Sequence, residues 1–191
     1  MAIPVRFVAL IIALFGGLAA HAQKPITIQA RAIDGLRAPA RVAEMVAQAD
    51  AVVIATATGR VRLAAMKREE DGLRSVHSFD VAEALKFNAG VPAAGDVLEL
   101  ELPGGEREYA THVLRETVDG EEPVRAGRRY LIFVNWIQGR DEIRRVPAWP
   151  MGGIYDISGP QVRSLSVTSR AHDGKDVESF IGEVRAAGLG R

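Results

Sequence analysis

The fold is decided by the stretch AVVIATATGRVRL, residues 51–63 of the chain. From Ala55 onward, small or apolar residues alternate with polar ones, which is the period of a β-strand with one covered and one wet face. Gly59 lies inside this run, where glycine often marks a bend or a barrel corner. The stretch therefore predicts a long, bent strand. The two alternating sets are Ala55, Ala57, Gly59, Val61 and Leu63, and Thr56, Thr58, Arg60 and Arg62.

More strand patterns follow, separated by turn signals. A charged turn at 67–72 leads to a run with His77, Phe79 and Val81 on one face, so the first two strands read as a long hairpin. Residues 97–102 alternate Leu with Glu and end at Pro103-Gly104-Gly105. The run 130–134 is apolar on both faces, which predicts a strand covered on both sides. Shorter strands are predicted at 142–146, 153–158 and 161–165, and the polar segment 106–127 is predicted to be a long functional loop.

Apolar residues with helical spacing occur only before the first and after the last predicted strand. Residues 23–36 have no clear period and are predicted to be extended, and Val42, Met45, Val46 and Ala49 then predict an N-terminal helix ending near Asp50. A closing helix is predicted over 175–187 with Asp173 as its N-cap. Because helices are not interleaved with the strands, a parallel βαβ sheet is disfavoured. We expect a mostly β fold, namely a small barrel or sandwich of five to six strands with an N-terminal and a C-terminal helix.

The first 22 residues have the pattern of a secretory leader. Arg6 supplies the positive charge, residues 7–20 are uncharged and mostly apolar, and Ala20-His21-Ala22 has the small-x-small form of a cleavage site. This apolar run is too short at ~1.5 Å per residue to span a ~30 Å hydrocarbon core as a helix. We expect cleavage after Ala22, a single domain over 23–191 with its barrel at about 51–165, no membrane span in the mature chain, and a periplasmic or secreted location.

Composition excludes several classes of function. The chain of 191 residues carries 24 Lys+Arg and 24 Asp+Glu, so its formal net charge is zero. A neutral domain lacks the basic surface that nucleic acid requires, and we expect no nucleic-acid partner. The absence of cysteine excludes disulfides, thiolate zinc sites and cysteine nucleophiles. No phosphate-binding or dinucleotide motif is present, so the sequence predicts no cofactor.

The order of turns and core residues resembles a known group. Its features are Ala49-Asp50 running into Val52-Val53 and Gly59, Phe79-x-Val81 leading to Ala84-Leu85-Lys86, Pro103-Gly104-Gly105, Gly127 before Tyr130-Leu131-Ile132-Phe133, and Gly152-Gly153-Ile154-Tyr155 before Ile157. This order resembles secreted bacterial proteins with an OB-like barrel, similar to netrin-type domains and the tissue inhibitors of metalloproteinases. The similarity covers roughly 48–165.

The resemblance implies a five-stranded Greek-key barrel and a binding role, with no catalytic residues to carry over. Its protein partner would be an extracytoplasmic peptidase. The animal inhibitors clamp the protease zinc with an N-terminal cysteine. Here the predicted mature N-terminus is Gln23 and cysteine is absent, so that mode of inhibition does not transfer.

The histidines and hydroxyls show no established catalytic spacing. His21 leaves with the leader, and His77, His112 and His172 are far apart in sequence, without an H-E-x-x-H pair. Because a zinc site needs three or four converging ligands, no metal is predicted. No G-x-S-x-G elbow is present. A hydrolase that uses His112 or His77 with Asp80 or Glu116 remains an alternative function.

One predicted hairpin combines aromatic and basic residues. The residues are Trp136, Arg140, Arg144, Arg145 and Trp149, and Tyr109 is a further candidate binding residue. OB barrels bind oligosaccharides on a strand face and its loops, so a carbohydrate or cell-envelope ligand is the alternative to a protein partner. The competing interpretation is that both tryptophans cap the core and that the arginines form a solvated edge.

Overall fold

The computed structural model describes residues 26–30, 37–64, 72–86, 92–138, 143–149 and 151–189. The predicted leader and its cleavage site lie outside the described residues. The helices are α1 (Val42–Gln48) and α2 (Val177–Leu189), with a 3-10 helix at Val167–His172. None of the described helices has the length and hydropathy needed to cross a bilayer. The strands are β1 (Ile26–Ala30), β2 (Ala51–Leu63), β3 (Arg74–Lys86), β4 (Val97–Pro103), β5 (Gly105–Glu108), β6 (Val113–Val118), β7 (Arg129–Gln138), β8 (Ile143–Pro147), β9 (Ile154–Asp156) and β10 (Arg163–Ser164).

Most strands belong to one curled antiparallel sheet, the half-barrel. Its order is β10-β9-β7-β2-β3-β4, and β8 also pairs with β7. The strand β7 pairs with β9 through its first half and with β8 through its second half. The predicted hairpins β2–β3 and β7–β8 are both present in this sheet. A mostly β fold with a curled sheet and a C-terminal helix is therefore confirmed.

The concave face of the half-barrel holds one of two hydrophobic clusters. Phe79 and Tyr130 pack edge to face there, with ring centroids 6.1 Å apart. Aromatic pairs favour this geometry because the positive ring edge meets the negative ring face. The buried members of this interior cluster are Ala51, Val53, Ala55, Ala57, Phe79, Val81, Leu98, Leu100, Leu102, Tyr130, Ile132, Val134, Met151, Ile154 and Leu165.

The convex face is covered by the helices. Val52, Ile54, Leu131 and Phe133 point to this side and pack with side chains of α1 and α2 in a second buried cluster. Residues that alternate along β7 therefore enter different clusters, which confirms that 130–134 is covered on both faces. Residues 51–55 of β2 are also covered on both faces, since all five are buried, and the predicted alternation is present only over 55–58, where Ala55 and Ala57 are buried and Thr56 and Thr58 are half-buried.

The far half of β2 also differs from the prediction. The pairing with β3 shifts register between Ala57 and Val61, and Gly59 in this bulge has a φ of 81°. Residues 59–63 are all exposed, including Val61 at 55% and Leu63 at 38%. The expected covered face of Val61 and Leu63 is therefore wrong, because the bulge carries this end of β2 beyond the buried core.

A second sheet replaces the predicted long loop. Its order is β1-β6-β5, with β1 parallel to β6 and β5 antiparallel to it. The interpretation of 106–127 as irregular is therefore wrong over β5 and β6. Neither strand contains a buried residue, and charged residues occupy both faces of each, so the apolar alternation that marks a strand is missing.

The closing helix begins later than its predicted cap. The Asp176 carboxylate accepts a hydrogen bond from the Ser179 backbone N–H at 2.9 Å, which is N-cap geometry. Asp173 instead follows the 3-10 helix and accepts a hydrogen bond from the Ser164 backbone N–H at 2.6 Å. The prediction of Asp173 as the cap is wrong because the 3-10 turn precedes α2.

Candidate functional site

A cleft of about 510 Å³ lies between the half-barrel and the second sheet. This inter-sheet cleft has one wall from β2–β4, including Val61, Leu63 and Leu102, and one wall from β5 and β6. Residues 121–124 and Met151 complete the lining. The volume falls within the ~300–1,000 Å³ that is usual for ligand sites.

The turn between β4 and β5 sets how closely the two walls approach. Gly104 has a φ of 85°, and a Cβ there would lie 2.8 Å from the Glu116 carbonyl oxygen, so only glycine fits. The Gly104 N–H donates to the Leu73 carbonyl at 2.8 Å. The Leu73 N–H donates to Glu116 Oε2 at 2.6 Å. These contacts fasten β6 to the start of β3 and keep the walls at a fixed separation.

Ser75 and His77 form a hydrogen-bonded pair in the cleft wall. Ser75 Oγ lies 3.0 Å from His77 Nε2, and both residues face the cleft from β3. Burial lowers the pKa of His77, so its imidazole is neutral near pH 7 and can accept a proton. Ser75 was missed by the sequence analysis, although a Ser and a His two residues apart on a strand share one face.

This pair lacks the third member of a catalytic triad. Among the hydrogen bonds of the described residues, none joins a carboxylate to His77. Ser75 is only 5% exposed. Of the residues considered for a hydrolase, His77 and Glu116 line the cleft. Asp80 and His112 do not line it; Asp80 is exposed on β3 and His112 stacks on Tyr109.

Glu121 is the most perturbed acidic residue of the cleft. Its Oε1 accepts a hydrogen bond from Ser166 Oγ at 2.7 Å, while Oε2 is buried without a hydrogen-bond partner. Burial raises the pKa of Glu121 to about 7, and the Ser166 hydrogen bond only partly opposes that rise. The sequence marks Glu121 only as part of an acidic turn of the kind that is usually solvated, because its burial depends on the approach of the 3-10 helix.

The arginines around the cleft already have acidic partners. Ion pairs join Arg62 to Glu99 at 2.9 Å, Arg115 to Glu106 at 2.5 Å and Arg163 to Glu122 at 3.0 Å. In contrast, no Lys or Arg of the described ranges forms an ion pair with Glu116 or Glu121. Of the four glutamates that line the cleft, Glu116 and Glu121 therefore have no ion pair with a cation of the described part of the chain.

The predicted aromatic and basic surface is divided by the sheet. Trp136 packs against the interior cluster, and the Arg145 guanidinium lies 5.4 Å from its ring centroid. Trp149 packs on the helix side, 5.9 Å from the Phe133 ring centroid, and its Nε1 donates to Gln48 Oε1 at 3.3 Å. The two tryptophans therefore contact different cores and do not share one stacking surface.

The other candidate binding residues are also apart from the cleft. Arg144 is ion-paired with Glu101 at 3.0 Å. Tyr109 lies beyond β5, where its ring stacks on His112 at 4.7 Å and Arg107 lies 5.5 Å from its centroid. Arg140 lies outside the described residues. None of the five described candidates lines the cleft. No group of three or more metal-ligating side chains occurs within the described ranges.

Comparisons with known proteins give no relative. No protein-family model, no curated protein and no solved structure matches this chain. The function must therefore be argued from the cleft and from the sequence.

Proposed function

We propose that this protein is an exported, non-enzymatic binding protein that takes a protein partner at the inter-sheet cleft. The observation that carries the proposal is the exposed apolar entrance of the cleft, formed by Val61 and Leu63. Water-exposed aliphatic side chains beside a concave apolar surface are typical of interaction sites, because a partner that covers them removes apolar area from water.

Export is supported by the sequence of the first 22 residues. A positive residue, an apolar run and a small-x-small site together match a secretory leader. The mature protein would then begin at Gln23 and act in the periplasm or outside the cell. A chain without cysteine can fold there without disulfide chemistry.

The strand order supports an OB-like barrel. Five consecutive neighbours run β8-β7-β2-β3-β4, and the Arg144–Glu101 ion pair brings the outer strands β8 and β4 together. This arrangement suits a partly open five-stranded Greek-key barrel, a fold that binds its ligands on a strand face and adjoining loops. The resemblance to netrin-type domains makes an extracytoplasmic peptidase the first partner class to test.

The carbohydrate alternative has weaker support. A sugar would stack on neighbouring aromatic rings that are exposed on the same surface. Trp136 and Trp149 instead pack against separate hydrophobic clusters. A protein partner requires an apolar entrance, and Val61 and Leu63 provide one at this cleft.

Site-specific photo-crosslinking tests the proposal. A photoreactive residue replaces Val61 at the entrance, and the matched control replaces Val97, which is 51% exposed on β4 and does not line the cleft. In periplasmic extract of the source cell, the Val61 variant is expected to give a discrete protein adduct that excess unlabelled protein abolishes. Equal adducts from both positions, or none from Val61, would refute the proposal.

A second candidate function is supported by the Ser75–His77 hydrogen bond. A neutral imidazole 3.0 Å from a hydroxyl can act as its general base, as in ester hydrolysis. Wild type, Ser75→Ala and His112→Ala would be screened with p-nitrophenyl esters of increasing chain length. Activity that disappears in Ser75→Ala and persists in His112→Ala would establish the hydrolase. Background rates in all three would remove it.

A further inference from the structure

We infer that the partner inserts a lysine or arginine side chain, flanked by apolar residues, into the inter-sheet cleft, where Glu116 and Glu121 receive its cationic head. This inference deepens the proposed function and rests on it. It specifies the chemistry of the partner segment: a basic side chain in an extended apolar stretch.

The two glutamates of the cleft are complementary in charge to a basic side chain. Both Glu116 and Glu121 line the cleft, and neither forms an ion pair with a cation of the described chain. Glu116 accepts a hydrogen bond from the Leu73 N–H, which fixes one oxygen, and no cation of the described residues forms an ion pair with its carboxylate. A cation that enters the cleft would meet two carboxyl groups that have no ion pair within the described residues, and a charge-assisted hydrogen bond to either would stabilise the complex.

The apolar lining of the cleft suits the methylene stem of the partner's basic side chain. Leu102 and Met151 are almost fully buried in the half-barrel and reach the cleft, and Val124 packs beside them. Lysine and arginine carry apolar stems of three or four methylenes below their charge. Such a stem can contact these residues while its head reaches a carboxylate, which neither a small cation nor a pure hydrocarbon can do.

The end of β2 favours a polypeptide as the carrier of that side chain. The strand β7 pairs with β2 only over 51–56, so within the described residues Val61–Leu63 has a ladder partner on the β3 side alone. An open strand edge can add an extended segment through backbone hydrogen bonds. Such a segment would lie beside the cleft and place apolar residues on Val61 and Leu63.

The state of Glu121 agrees with this arrangement. Its pKa is raised to about 7 because burial disfavours the charged form. An adjacent cation acts in the opposite sense and stabilises the carboxylate. Binding should therefore release a proton near neutral pH, which a neutral partner would not cause.

Isothermal titration with two synthetic peptides tests the inference. The probe is acetyl-Val-Leu-Lys-Leu-Val-amide, and its control carries norleucine in place of lysine. We expect the lysine peptide to bind at least about tenfold more tightly, a usual effect of one charge-assisted hydrogen bond. Glu121→Gln should reduce this preference, and the double variant Glu116→Gln/Glu121→Gln should abolish it. Glu83→Gln, which alters an exposed pair with Arg185 remote from the cleft lining, should preserve it.

The outcomes separate this inference from the proposed function. Equal affinity for both peptides would overturn the cationic partner while leaving a binding cleft. If n-hexylamine binds the cleft as tightly as the lysine peptide and displaces it, the inference that a polypeptide carries the basic side chain is overturned. Failure of both peptides to bind, together with a discrete Val61 adduct, would refute this inference alone. Failure of both peptides with no adduct would refute the proposed function as well.

Discussion

Glu101 on β4 and Arg144 on β8 form an ion pair of 3.0 Å across the seam of the half-barrel. Arg74 adds a second contact to the same Glu101 oxygen at 3.3 Å. No backbone ladder joins β4 to β8 in the described sheet. The outer strands are therefore brought together by side chains, and Glu101, at 8% exposure, is the shared acceptor.

Replacing the shared carboxylate should loosen this seam. Glu101→Ala leaves Arg74 and Arg144 without a partner and is expected to lower the free energy of unfolding by about 1–2 kcal/mol, since both arginines retain access to water. Glu99→Ala, which removes an exposed pair with Arg62, should cost no more than about 0.5 kcal/mol. Urea denaturation of both variants measures the difference, and equal midpoints would contradict a structural role for the seam.

The turn at Gly104 should not tolerate a side chain. Gly104→Ala combines a positive φ with a Cβ 2.8 Å from a backbone oxygen, so it should cost at least about 1–2 kcal/mol and widen the cleft. Gly159→Ala is the control, because nothing lies within 4 Å of a Cβ there and its φ is not positive. Thermal unfolding compares the two. A Gly104→Ala protein as stable as the control would show that the turn is adaptable.

Acid should weaken the attachment of α2 through His172. This ring is 1% exposed between Tyr155 and Phe180, and within the described residues neither ring nitrogen has a hydrogen bond of normal geometry, although the Pro39 carbonyl lies close enough to interact with the ring. Burial and then Lys175 lower the pKa of His172 below 6.5; Pro39 carbonyl, Glu183 and Asp173 oppose that shift. A depressed folded-state pKa means that stability is present above pH 6.5 and is lost as the pH falls through the folded value.

His172→Phe provides the test, because phenylalanine keeps the aromatic contacts and cannot be protonated. Unfolding free energies measured from pH 7.5 to pH 4.5 should fall less steeply in the variant than in wild type. The slope should not vanish, since the pKa of His77 is lowered by burial as well. Superimposable curves for the two proteins would show that His172 does not contribute.

Glu121 should have the opposite pH dependence. Its pKa is raised from 4.5 to about 7 in the folded protein, so its stabilising contribution is complete below pH 4.5 and is lost as the pH rises through 7. Glu121→Gln should therefore raise Tm at pH 8 and give no gain at pH 4.5. Glu122→Gln alters the exposed pair with Arg163 and should show no such gain. A buried carboxylate that lowers stability when it is charged and that also binds a ligand is typical of a functional site.

Much of the fold could be predicted because the pattern of apolar and polar residues along these segments matches the burial of the same residues in the folded protein. The alternation of Leu with Glu gave β4 its bounds to within one residue, and the doubly apolar run 130–134 identified the buried part of β7. The segment containing β5 and β6 could not be predicted in this way. No residue of these two strands is buried and their charged residues lie on both faces, so pairing with β1 and the glycine turn at Gly104 decide their structure.

The position of the cleft could not be predicted from local patterns, because the cleft forms between two sheets whose strands come from distant segments. Val61 and Leu63 have the pattern of core residues, and only the bulge at Gly59 and the end of the β7 ladder leave them exposed. Glu121 resembles any acidic turn residue, and its burial depends on Ser166, 45 positions later. Side-chain periodicity acts over a few residues and was enough to predict the strands of the half-barrel and the closing helix. The cleft depends on contacts between distant segments, so only the tertiary structure could decide where it lies and which groups it leaves without a partner.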